Sequence, residues 1–167
     1  IEDLIENKAL DVLYENFCYF IIVHIISEIY GESFEGKKYK VIKTEFSKTL
    51  KKKTNSNYFI FNPHDDLPKV KVSYNKNYVL GESYSKPYDP DISIEFLDKN
   101  DNIKCMYLFD AKFKAFMYEL TTDEETLEKR KTFKYDDISK MHTYKDALVK
   151  AKGAYVLYPG TQTKVYL

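Results

Sequence analysis

The chain has 167 residues, of which 44% are hydrophobic and 31% charged, with 26 basic residues balanced by 26 acidic ones. That length allows one domain with a real core, and the composition excludes a disordered chain. A formal net charge of zero excludes a global field that would draw the whole chain to nucleic acid or to an anionic surface.

Residues 3–30 are predicted to form one long helix. Leu10, Leu13, Phe17, Phe20 and Ile21 recur at the three- and four-residue spacing of a core-facing helix, and Gly31 suits its C-terminal stop. The apolar run "FIIVHIISEIY" is broken by His24 and Glu28, which makes it a buried helix rather than a membrane span. "KKYKVIKTEF" alternates as a strand does, "LKKKTNSN" is a polar turn, and "NYFIF" is a short strand closed by the turn-rich "NPHDDLP". "KVKVSYN" alternates again, and "GESYSKPYDP" has loop chemistry. Next come the strand "DISIEFLD", the hairpin turn "KNDN" and the apolar strand "IKCMYLFDAKFKAF". Residues 119–133 are charged and fit a loop or a poorly packed helix. A helix capped by Asp136 or Asp137 is expected to run to about Lys152 and to end at Gly153. "AYVLYPG" is then a buried strand, and "KVYL" starts another. Helices and strands segregate, which predicts an α/β (α+β) layered domain built on a mostly antiparallel or mixed sheet.

No repeat or linker divides the chain, so a single domain over 1–167 is expected. The opening shows no secretory pattern, and the first residue, Ile1 rather than an initiator methionine, suggests a fragment of a longer protein. Cys18 and Cys105 have no metal-like spacing with histidine and read as buried, reduced thiols of a cytoplasmic protein. From Gly36 to Lys76 there are 11 lysines against three acids, a local net of +8. This stretch, with Lys51, Lys52 and Lys53 at its centre, is either a solvated face or a patch for the phosphates of DNA.

Asp110 and Lys112 are two apart on a strand, so their side chains share one face. If the strands pair across "KNDN", Asp91, just after Pro90, falls beside Asp110. Two such carboxylates repel unless a cation lies between them, and Mg²⁺ suits oxygen ligands with waters to spare. Lys112 could then orient or deprotonate an attacking water, or neutralise charge on a phosphate. An exposed ion pair of small energetic weight is the plainer alternative for "DAK" taken alone. His24 reads as a satisfied core histidine and His142 as packing or surface. His64 with Asp65 and Asp66 reads as a surface turn rather than a metal cluster.

"YDPDISIEF" followed by "YLFDAKFK" resembles the bipartite PD…(D/E)xK signature of the restriction-endonuclease-like nuclease superfamily. "VLYENFCYF", "DDISKMHTYKDAL" and "GAYVLYPG" extend the resemblance to the branch of McrC-type nuclease subunits, from about Val12 to Gly160. The resemblance implies a restriction-endonuclease-like core, a central mixed sheet flanked by helices. It also implies Mg²⁺-dependent endonuclease activity on DNA, with Mn²⁺ able to substitute, in a restriction or defence system. By position, Asp91 and Asp110 match the metal-binding carboxylates, Ala111 the backbone carbonyl ligand, and Lys112 the catalytic lysine. Glu15 matches the acid of the first helix that helps to hold metal, although a solvated face remains open for it. Lys140 and Tyr144, one helical turn apart, match a Gln and Tyr pair, and Lys140 is a candidate for touching a DNA phosphate. An AAA+ motor on another chain, a homodimer, and the absence of any membrane association complete the expected partners. An inactive binding module, or a nuclease for RNA or branched DNA, remains as the alternative.

Overall fold

The computed structural model describes residues 2–31, 34–38, 41–43, 48–50, 52, 55–63, 66–113 and 124–159. In chain order the elements are α1 (Glu2–Ile29), β1 (Phe34–Lys38), β2 (Val41–Lys43), β3 (Lys48–Leu50), β4 (Tyr58–Phe61), β5 (Lys69–Tyr74), β6 (Ile92–Leu97), β7 (Ile103–Ala111), α2 (Glu124–Ala147) and β8 (Ala151–Leu157). A six-stranded sheet has the order β1-β4-β5-β6-β7-β8, and β2 pairs with β3 separately. Every pair in the large sheet is antiparallel except β7–β8, which is parallel. Parallel neighbours need a crossover, and α2 supplies it. The result is the mixed, helix-flanked α+β sheet that the sequence predicts.

Alternation along β7 assigns the two layers. Phe109 and Ala111 face the side on which α1 packs, together with Cys18, Tyr19 and Val23 of the helix and Phe61, Val70, Val72 and Ile92 of the sheet. Met106 and Leu108 face the other side, against Met141, Tyr144 and Leu148. The hairpin turn is set by Asp98, whose Oδ1 accepts the Asn100 and Asn102 N–H groups at 2.8 and 2.9 Å.

Several expectations change. α1 does stop at Gly31, which has φ +63, but it buries a different face. Leu13 and Phe17 are 64% and 58% exposed, and Leu10, Phe20 and Ile21 are exposed as well. Both faces of α1 are apolar, so periodicity could not choose between them. Leu10–Ile29 has the length and hydropathy of a membrane-crossing helix, yet one side of it packs on the sheet through Tyr19 and Val23. His24 is exposed beside Glu28, 3.5 Å away, rather than in the core. His142 is on the surface. Cys18 is buried and Cys105 only partly, and both are free thiols. "KKYKVIKTEF" contributes to both β1 and β2 rather than to one strand. Asp136 and Asp137 lie inside α2, which starts at Glu124 and stops at Ala147. Gly153 is part of β8 rather than a helix terminus. His64, Asp65 and "KVYL" lie outside the described residues.

The buried face of α1 can be tested by truncation. Tyr19→Ala should cost about 3 kcal/mol or more in chemical denaturation, and Phe17→Ala less than about 1. A larger loss from Phe17→Ala would mean that the helix buries the other face.

Candidate active site

Three elements bring the site together at one end of the sheet. The register of β6 and β7 sets Ile92 opposite Phe109, so Asp91 and Asp110, one residue beyond, come to the same end of the two strands. Asp91 lies at the mouth of β6, where its Oδ2 accepts the Ala111 N–H at 2.9 Å. This bond replaces the ladder at the point where β6 has begun and β7 is about to end. In extended backbone the Ala111 carbonyl projects to the same edge as its N–H, which is the edge that Asp91 occupies. Lys112 follows β7 directly, and its N–H donates to the Leu157 carbonyl at 2.9 Å.

Asp110 has no solvent exposure. Two lysines approach it, with Lys140 Nζ 2.7 Å from Oδ1 and Lys112 Nζ 2.6 Å from Oδ2. Burial works to raise the Asp110 carboxyl, but the Lys112 and Lys140 ammonium groups outweigh it and hold the group below the usual carboxylate range. Asp91 behaves in the opposite way. Burial pushes it up to about 7, and the Asp110 and Glu15 carboxylates add to the rise. Burial works to lower Lys112, yet Asp110 leaves it raised, so in this state Lys112 is a cation rather than a free base.

Glu15 is on the packed face of α1, 8% exposed, rather than on a solvated one. Its Oε2 accepts the Tyr74 hydroxyl at 3.1 Å and pairs with the Lys52 ammonium. Tyr144 is 3% exposed, edge-on to Tyr88 with ring centroids 5.7 Å apart. It supports the site from within and offers nucleic acid almost no surface. Lys140 lies over its ring, 5.3 Å from the centroid. Of the lysine patch, Lys52 is at the site, while Lys51 and Lys53 lie outside the described residues.

The sequence alone groups Lys52 with a phosphate patch, gives no role to Tyr74 and offers Asp137 only as a helix cap. In the structure Lys52 and Tyr74 hold Glu15. Asp137 lies within the electrostatic reach of Lys112, and its Oδ2 accepts the Tyr158 hydroxyl at 2.8 Å. No sequence signal joins Glu15 to Tyr74, 59 residues apart.

The donor set decides which cation fits. Among the described residues no three His, Cys, Asp or Glu side chains converge on one point, so no all-protein cage exists here. Two carboxylates from adjacent strands, a carbonyl on the same edge and a third acid further off suit an ion that keeps several waters, as Mg²⁺ does. The raised Asp91 supports that fit, because burial and its acid neighbours Asp110 and Glu15 disfavour its charge until a cation lies beside it.

No curated protein and no solved structure matches the chain. Residues 12–163, most of its length, match the family model of the PD-(D/E)XK nuclease superfamily. Enzymes of this superfamily are hydrolytic nucleases that generally use divalent metal ions on nucleic acid. The match spans α1, both site strands and α2, and the chain belongs to the PD-(D/E)XK nuclease superfamily.

Proposed function

We propose that the chain is a Mg²⁺-dependent DNA endonuclease, with Mn²⁺ able to substitute, whose site residues are Glu15, Asp91, Asp110 and Lys112. The observation that carries this reading is the opposition of Asp91 and Asp110 across β6 and β7, with the Lys112 ammonium 2.6 Å from Asp110. A structural ion pair would need neither a second buried acid nor an acid from α1 within electrostatic reach of it. The motif order "KMHTYKDA" then "YVLYPG" supports a McrC-type subunit of a cytoplasmic restriction or defence system. Such a subunit works with an AAA+ motor on another chain, and a second copy would supply the cut on the opposite strand.

Asp91 and Asp110 would hold the ion together with the Ala111 carbonyl, and Glu15 would reach it through water. When bound, Mg²⁺ supplies Lewis acidity at the phosphate and a water acidic enough to attack. The task of Lys112 follows from its charge. Raised by Asp110, it stays protonated at neutral pH and presents a positive charge where negative charge develops on the phosphate. Tyr74 and Lys52 hold Glu15 at the back of the site.

Calorimetry with Mg²⁺ or Mn²⁺ should show binding to the wild type and none to Asp110→Ala. Lys112→Ala should retain binding while cleavage of duplex DNA falls by roughly 10²-fold or more. Binding to neither protein would leave a site that only DNA completes or an inactive relative of the fold, which cleavage of duplex DNA tells apart, and full cleavage by Lys112→Ala would remove that residue from the mechanism. The pH dependence follows from Asp91. The folded protein keeps the Asp91 proton up to about 7, whereas the unfolded chain releases it near the ordinary value of about 3.9. The metal-free protein therefore binds more protons than its unfolded chain across this window and loses stability as pH rises through it. Thermal melts between pH 5 and 8 should show Asp91→Asn falling less than the wild type, and identical slopes would place the Asp91 titration elsewhere.

A further inference from the structure

Glu15 and Asp110 are buried, and each is held by an ammonium group from a distant element. Lys52 reaches Glu15 from the chain after β3, and Lys140 reaches Asp110 from α2, 2.7 Å from Oδ1. The lysine stems are 39% and 41% exposed, while the carboxylate side chains beneath them are 11% and 0% exposed. These pairs are therefore capped from solvent by movable cations. Another buried acid, on the Asp110 side of the sheet, is built differently. Glu95, 1% exposed, accepts Lys76 at 2.6 Å and Tyr78 at 2.8 Å, and the Lys76 side chain is itself only 8% exposed. That lysine is buried and tied to a second acid as well, Glu82 at 3.0 Å.

We propose that Lys52 and Lys140 are exchange residues. They neutralise Glu15 and Asp110 while the metal is absent, and on its arrival they turn outward to the phosphates of the nucleic acid. The inference rests on the nuclease reading above and assigns these two lysines a positioning role within it. Local charge balance favours such an exchange. Three lysines, Lys52, Lys112 and Lys140, already stand against the three carboxylates Glu15, Asp91 and Asp110. A divalent ion entering that set leaves it two charges in excess once Asp91 is ionised. Desolvated charge of either sign is costly, so the excess must move outward to meet anions. Lys112, tethered two residues from Asp110 and only 31% exposed, is the least able to leave. Lys52 and Lys140 can rotate out along their exposed stems. Metal and nucleic acid then assist each other's binding by the same factor.

The test uses the full chain in a Lys112→Ala background, so that duplex DNA survives Mg²⁺. The slope of log affinity against log salt is measured with and without the ion, and Mg²⁺ affinity is measured by calorimetry at one fixed pH. Each lysine released onto a phosphate should steepen the slope by about 0.9. With Lys112 gone, two lysines stand against the three carboxylates and the ion leaves one charge in excess, so Mg²⁺ should steepen the slope by about 0.9 in the parent and by little in either Lys140→Met or Lys52→Met. Each of these substitutions removes a competing charge and keeps the apolar stem, so each should also raise Mg²⁺ affinity, by roughly tenfold. A slope that Mg²⁺ leaves unchanged in the parent would overturn the exchange while the nuclease reading stands. So would unchanged or weaker Mg²⁺ binding by both methionine variants. A parent that binds neither Mg²⁺ nor DNA would overturn both readings together.

Discussion

A carboxylate with no solvent exposure needs charge beside it, and Asp110 is that carboxylate. Much of the molecule around it can be understood as meeting this requirement. β7 carries it inward, α2 delivers Lys140 to one oxygen, and the strand's own continuation delivers Lys112 to the other. Asp91 then has to sit beside a carboxylate that is already occupied. It gains one backbone N–H, from Ala111, and burial with two acid neighbours leaves it raised to about 7. The asymmetry between two chemically identical side chains comes from which of them has the lysines.

β6 shows how one strand can carry acids of opposite purpose. Asp91, Ser93 and Glu95 alternate onto one face, and all three are buried. Glu95 pairs opposite Met106 in the middle of the sheet, where the segment from Lys76 to Glu82 folds over it. Lys76 bonds both Glu82 and Glu95 there, at 3.0 and 2.6 Å. An acid closed in this way fixes a loop to a sheet. Asp91, at the end of the strand, has no such cover and stays part of the site. Position along the strand, rather than residue type, separates the structural acid from the chemical one.

α1 spans two environments. Tyr19, Val23 and Tyr30 sit in the core, and Glu15 on the same face reaches the site. The opposite face keeps Leu13, Phe17 and Ile25 in solvent. A helix apolar all round gives no amphipathic stripe to follow, and only the position of the sheet decides which half is covered.

The sequence by itself determined the local elements with strong patterns: the alternating strands β5, β6 and β7, the Asp98 hairpin, and α1 with its stop at Gly31. It also determined the bipartite signature, because "PD" opening one strand and "DAK" closing the next, joined by a tight turn, can meet in only a few registers. The tertiary structure decided what depends on distant partners. It chose the buried face of α1 and with it the inward side of Glu15, joined Lys52 to Glu15, and placed Lys140 on Asp110. It ran α2 through a charged segment whose composition fits a loop as well as a poorly packed helix, and it covered the polar side of β6 that alternation alone would leave to water. Periodicity reports which residues share a face, and only packing reports what that face meets.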